Sequence, residues 1–146
     1  MINFQNIDTV DTFENSKGIL AITYDHKINL LAYPDKAIGY VKLKNYDKNE
    51  TILLNAHNSR IANLSLNGDG KFLATASEKG TKIRMFSTED GAYLNEYQVD
   101  KNQTEIYSIA FNMFNNFLLC SCSTGTIYIY SLKNALEKYI SNTVEK

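Results

Sequence analysis

The sequence predicts an all-β chain built from repeated four-stranded antiparallel units, and three observations carry that reading. Short apolar runs recur along the chain between turns rich in Gly, Asn, Asp and Ser. The central stretch Leu64 to Ser87 reads LSLNGDGKFLATASEKGTKIRMFS. It holds the end of one strand, a turn at Asn67-Gly68-Asp69-Gly70, a strand from Lys71 to Ala76, a turn at Ser77 to Thr81 and a strand from Lys82 to Phe86. Finally, residues 60–81 lie over 105–126 at a shift of 45, and six of 22 positions are identical. These are Ile61/Ile106, Asn67/Asn112, Phe72/Phe117, Leu73/Leu118, Gly80/Gly125 and Thr81/Thr126.

Dropping one residue after Thr81 extends the match, setting Ile83-Arg84-Met85-Phe86 over Ile127-Tyr128-Ile129-Tyr130. A fainter copy precedes both, with Leu30-Leu31-Ala32 echoing Phe72-Leu73-Ala74. A period of about 40–45 residues with four strands per unit is the signature of a WD40-type β-propeller. The chain lacks tryptophan, so the Trp-Asp pair of that class is missing and the member is divergent. Closed propellers carry about 4–8 blades. At 45 residues each, 146 residues supply about three. The expectation is an incomplete propeller of about three four-stranded blades over residues 6–132. Three open blades leave two apolar faces bare. The chain then belongs to a larger propeller, pairs with a second chain, or is a truncated product, and the sequence leaves these open.

Taken in order, residues 1–17 are polar, with one candidate strand from Ile7 to Phe13. Strands are predicted at Ile19–Tyr24, Ile28–Tyr33, Ile38–Leu43 and Thr51–Ala56, then at Arg60–Leu66 and through the central meander. Ala92–Val99, Glu105–Asn112, Phe117–Cys122 and Thr126–Leu132 follow. Residues 133–146 form a C-terminal extension with helical spacing, Leu132, Leu136, Tyr139, Ile140 and Val144 falling near one face. It serves to bind a partner, to cap the last blade, or simply frays. Lys42, Lys44 and Lys48 read as a solvated strand edge.

With 15 basic and 16 acidic residues, no overall basic field draws the chain to nucleic acid or an anionic membrane. The first residues lack a basic region followed by an apolar run, so no signal peptide is expected, and no apolar run reaches transmembrane length. Three matches to the glycosylation sequon, at Asn49, Asn63 and Asn102, carry no meaning without a secretory route. Cys120 and Cys122 share one strand face, too close along the chain for an unstrained disulfide, and read as core. A zinc site would need further ligands, and only His26 and His57 are available. No nucleophile elbow, triad spacing or paired carboxylate stands out, so no catalytic residue, cofactor or metal is assigned.

Several strings together resemble the PROPPIN family, seven-bladed WD-repeat propellers that bind phosphoinositides in autophagy and endolysosomal traffic. They are Leu30-Leu31-Ala32-Tyr33-Pro34, Ala56-His57-Asn58-Ser59-Arg60-Ile61-Ala62, Asn67-Gly68-Asp69-Gly70, Leu73 to Thr81 with Ile83-Arg84, and Ile106-Tyr107-Ser108-Ile109. The similarity runs from about Asn6 to Leu132 and covers the middle three of seven blades. It implies a non-enzymatic effector of phosphatidylinositol 3-phosphate, cytoplasmic and peripheral on preautophagosomal, endosomal or vacuolar membranes, with autophagy-type protein partners. In that family an arginine pair serves two headgroup sites, because a polyanionic headgroup demands cations and hydroxyl or amide donors. The pair falls on Tyr97-Gln98-Val99-Asp100 here, so both arginines are replaced. The first site retains His57, Ser77, Lys79 and Thr81, with Gln98 at the first arginine. The second has Val99, Ser121, Cys122 and Thr126. The family's membrane-inserting loop has no counterpart. Weak or lost lipid binding is expected. A protein–protein scaffold with no lipid role is the alternative.

Two of these residues have a plainer reading. His57 is either a headgroup ligand or a rim histidine bonded to its neighbours. Ser77 to Thr81 is either an anion-binding nest or a tight hairpin with a solvated lysine.

Overall fold

The computed structural model describes residues 4–25 and 27–144. His26, named above, and Glu145 and Lys146 at the end of the C-terminal extension lie outside the described residues. Among the described residues, eleven strands fall into three antiparallel sheets, followed by one helix. The first sheet is β1 (Ala21–Ile22), β2 (Leu30–Pro34), β3 (Tyr40–Asn45) and β4 (Glu50–Asn55), in chain order. The second is β5 (Ile61–Leu66), β6 (Phe72–Ser77), β7 (Lys82–Ser87) and β8 (Tyr93–Gln98). The third holds three strands, β9 (Ile106–Phe111), β10 (Phe117–Cys122) and β11 (Ile127–Ser131). The sheets are the meanders that the repeat predicts, stacked side by side in an open, unclosed arc.

Two apolar cores explain the stacking. Leu30, Ala32, Val41, Leu43 and Leu54 of the first sheet pack with Ile61, Leu64, Leu66, Leu73 and Phe86 of the second. Phe72, Ala74, Ala76, Ile83 and Met85, on the opposite face of the second sheet, pack with Ile109, Leu118 and Cys120 of the third. Alternate residues of β6 serve alternate cores, and all six are buried. That is why FLATAS is apolar or small throughout, where a one-sided strand would alternate.

Several expectations are corrected. Residues 7–13 form no strand. Asn6 and Asp8 bond nearby amides and hydroxyls instead, Asp8 N donating to Asn6 Oδ1 (3.0 Å) and Thr9 N to Asp8 Oδ1 (2.8 Å). The strand expected from Ile19 to Tyr24 shrinks to two residues. Asn15 takes both backbone groups of Ile19, and the Thr23 hydroxyl bonds Ile28 O at 2.6 Å. The lysines of β3 do not line an edge, because β3 lies between β2 and β4. Lys42 pairs with Asp35 at 2.9 Å and Lys44 with Asp8 at 2.6 Å, which ties the N-terminal segment to the first sheet. The third sheet gains no fourth strand. After β11 the chain turns into α1 (Lys133–Val144). Leu132 and Ala135 enter the core between the second and third sheets, and the Tyr139 ring meets Phe72 edge-on at 5.1 Å. Both cysteines are buried and reduced, in keeping with a core role.

The repeat reaches down to single glycines. Gly80, between β6 and β7, has φ +63°, and a Cβ there would overlap the carbonyl of Thr104 in the loop leading to the next sheet. Gly39 stands in the same relation to the His57 carbonyl. Gly125, their counterpart in the third sheet, has φ +77° and nothing within 4 Å. We therefore expect Gly80→Ala to destabilise the protein by at least about 3 kcal/mol, clash adding to left-handed strain, and Gly125→Ala by about 1–2 kcal/mol from strain alone. Denaturant melts of the two variants check this, and equal losses would contradict it.

Candidate functional site

The loops between β2 and β3, β6 and β7, and β10 and β11 emerge at one end of the sheets, together with the loops that join sheet to sheet. Every residue proposed from the sequence lies there. His57 follows β4 and is only 6% exposed. Its Nε2 bonds Thr75 Oγ1 at 3.0 Å, and Thr75 Oγ1 also reaches Arg84 O at 3.3 Å. Burial drives its pKa down to about 4, the Thr75 bond offsets part of that, and the Arg84 charge adds to it.

Arg84 extends this cluster across both sheets. Its Nη1 donates to Ala56 O of the first sheet at 2.8 Å, and its Nε to Glu96 Oε2 at 2.9 Å. Glu96 Oε1 takes a further ion pair from Lys82 at 2.6 Å. Sequence reading missed Thr75, Lys82, Arg84 and Glu96. The available signal was the opposite charge of Arg84 and Glu96, which become cross-strand partners once β7 and β8 are registered.

The first group of residues proposed from the sequence is partly assembled. Ser77, buried, ends β6, and its carbonyl accepts from Gly80 N at 2.9 Å to close the turn that carries exposed Lys79. Thr81 O accepts from Val99 N (2.9 Å) and from the Gln98 side-chain amide (2.8 Å). That same Gln98 amide nitrogen also bonds the Asp100 carbonyl. Thr81, Gln98 and Val99 are thus one hydrogen-bonded unit, while the His57 ring is turned to Thr75.

The second group is divided. Val99 is 4% exposed and belongs to the core between the second and third sheets. Cys122 is also buried, its N donating to Thr126 O at 3.3 Å and its Sγ lying 3.0 Å from Thr124 Oγ1. Bonding to Thr124 holds this thiol below its usual range, whereas burial pushes Cys120 up to about 11. Ser121 alternates to the opposite face of β10, and Thr126 is exposed. Among the described residues, no group of three or more metal-ligating side chains occurs.

Stacked antiparallel meanders of four, four and three strands, with the joining loops gathered at one end, define a segment of a WD-repeat β-propeller. The PROPPIN family pattern matches residues 4–142, and the chain belongs to the PROPPIN family. It is 34% identical over 124 residues to Autophagy-related protein 18e of Arabidopsis thaliana, covering 85% of this chain and 33% of that protein. To WD repeat domain phosphoinositide-interacting protein 1 of Xenopus laevis it is 36% identical over 138 residues, covering 91% and 31% respectively. A solved complex of KlAtg21 with the coiled-coil of AgAtg16 superposes with a TM-score of 0.66 at 27% identity, covering 77% of this chain and 39% of that one. The chain thus spans about a third of the length of the curated relatives it matches.

The buried histidine makes stability depend on pH. Unfolded, the ring takes a proton below about 6.5, whereas in the fold it stays neutral down to about 4. The unfolded state therefore binds more protons in that window, and stability falls as pH drops through it. From pH 7 to pH 5 the loss from this group is about 2 kcal/mol. Denaturant unfolding at both values should show it, and His57→Gln should flatten the slope by that amount; an unchanged slope would exclude His57 as its source.

Proposed function

We propose that this chain acts as a non-enzymatic adaptor in autophagy and membrane traffic, with its phosphoinositide sites weakened. Residues 6–132 supply propeller blades and 133–146 a C-terminal extension. The family membership and the names of the relatives support the autophagy role; the name of the Xenopus protein carries the lipid. Weakening is supported by one observation above the rest. Where the family carries two arginines, Gln98 spends its amide on two backbone carbonyls and Val99 is buried in the core. Neither offers a cation, and Asp100 adds an acid beside them. A charge-assisted bond to phosphate contributes about 1.5–3 kcal/mol, so losing two removes about 3–6 of the roughly 8 kcal/mol behind a micromolar affinity. Of the first group, Lys79 and Thr81 remain accessible as residual anion contacts, whereas His57 is neutral and turned to Thr75 and Ser77 is buried; of the second, Ser121 and Thr126 remain and Cys122 is buried. The setting is the cytoplasm, at autophagic, endosomal or vacuolar membranes.

The second reading is a scaffold that binds protein segments without lipid. KlAtg21, solved with the coiled-coil of AgAtg16, favours it, since a helical partner needs no headgroup pocket.

Either reading calls for the bare face of the third sheet to be covered. Phe117, Ile127 and Ile129 are 44%, 67% and 66% exposed. Their repeat counterparts Phe72, Ile83 and Met85 are 2%, 0% and 0% exposed, packed against the third sheet. The empty surroundings of Gly125 mark the same place. We propose that a further sheet of the same repeat packs there, on this chain's own polypeptide or a second one.

Flotation with vesicles carrying phosphatidylinositol 3-phosphate tests the lipid claim. Weak binding is expected, and Gln98→Arg should strengthen it about tenfold by restoring one contact. Nanomolar binding by the unaltered chain would overturn the weakened-site reading. Binding that Gln98→Arg leaves unchanged would favour the scaffold.

A further inference from the structure

We propose that the turn between β9 and β10 is a membrane-inserting tip, through which Met113 and Phe114 enter the interfacial layer of a lipid bilayer. Both side chains are 78% exposed, at the end of the sheets opposite the loops that carry His57, Thr81 and Gln98.

The chain contains its own control for this turn. Three hairpins open with the same backbone bond: Thr23 N to Leu30 O (3.1 Å), Asn67 N to Phe72 O (3.1 Å) and Asn112 N to Phe117 O (3.2 Å). In the second, Asn67 Oδ1 accepts from Phe72 N, and the two residues after Asn67 are Gly68 and Asp69. In the third, Asn112 Oδ1 accepts from Phe117 N at 2.8 Å and from Asn116 N at 3.0 Å, and the next two residues are Met113 and Phe114. Asn112 and Asn116 build the turn, Asn116 Oδ1 accepting from the Asn112 amide at 2.6 Å as Asp69 Oδ1 accepts from that of Asn67. Two large apolar side chains there add nothing to the fold.

A further sheet in the same arrangement would leave Met113 exposed. Tyr24 follows Thr23 as Met113 follows Asn112, and it already leans on the neighbouring sheet at Gly68, yet it stays 72% exposed.

The shape of the tip selects lipid over protein. The pair is convex and offers on the order of 300 Å², against about 800 Å² per partner in a stable protein interface. Insertion into a bilayer needs no matching surface, only apolar side chains on an uncharged mount. The mount is Asn112, Asn115 and Asn116, held by the Asn112 side-chain bonds and by Asn115 N donating to Asn112 O at 3.0 Å. No loop must be ordered on binding. Asn116 O also holds Leu132 N at 3.0 Å, which brings exposed Lys133 to the base of the tip, where lipid phosphates would lie.

Because the chain has no tryptophan, Phe114→Trp makes a single emission reporter. With vesicles of phosphatidylcholine alone, its emission should shift to shorter wavelength and be quenched by brominated acyl chains. The double variant Met113→Gly/Phe114→Asp rebuilds the tip of the Asn67 turn, so its melt should match the parent while its flotation with the same vesicles drops about tenfold. The lipid contains no phosphoinositide, so failure of the headgroup reading leaves this result untouched, and the converse holds too. An emission that stays solvent-like overturns the proposal. Equal flotation of parent and double variant overturns it as well.

Discussion

Everything in this molecule depends on one constraint: each sheet must bury both of its faces, and a four-stranded meander cannot do so alone. The second sheet meets the requirement fully. Phe72, Ala74 and Ala76 face one neighbour, Leu73 the other, and all four are nearly inaccessible to solvent. At roughly 25 cal/mol per Å² of apolar area, the two cores are the dominant stabilising term. Hydrogen bonds across the seams then fix register, as when Asn63 donates to Ile106 O at 3.1 Å and Arg84 to Ala56 O.

The same constraint shapes the two ends of the stack differently. At the first sheet, the segment around Asp8 is anchored by Lys44 and by the Tyr46 hydroxyl at 2.8 Å, and Tyr33 on the outward side of β2 is 7% exposed. At the third sheet no segment among the described residues does this, and isoleucines face solvent. The helix covers part of the inward core through Leu132 and Ala135 and leaves the outward face alone.

Most of this architecture was legible because repeats speak twice. The shift of 45 aligned Phe72 with Phe117 and Gly80 with Gly125, and a four-strand unit of that period admits few folds. What the sequence could not convey was competition from side chains and the registers between strands. Asn15, Thr23 and Asp8 divert backbone groups from the ladder, which erased one strand and shortened another. Lys42 and Lys44 resembled an edge until Asp35 and Asp8 were seen beside them. In the candidate site, the identities of Gln98 and Val99 were readable directly. The bonded ring of His57 and the four-residue charge cluster next to it were not, since both need strands apart in sequence to be brought together.

A stack with two neighbours in the middle and one at each end behaves as a short chain of coupled units. Amide exchange should therefore be graded along the polypeptide, slowest in β6 and β7 and faster outward into β2 and β11. The innermost sheet is the last to open, and it is also the one from which Thr81 and Gln98 project. The hydrogen-bonded unit of Thr81, Gln98 and Val99 is thus mounted on the most persistent part of the molecule.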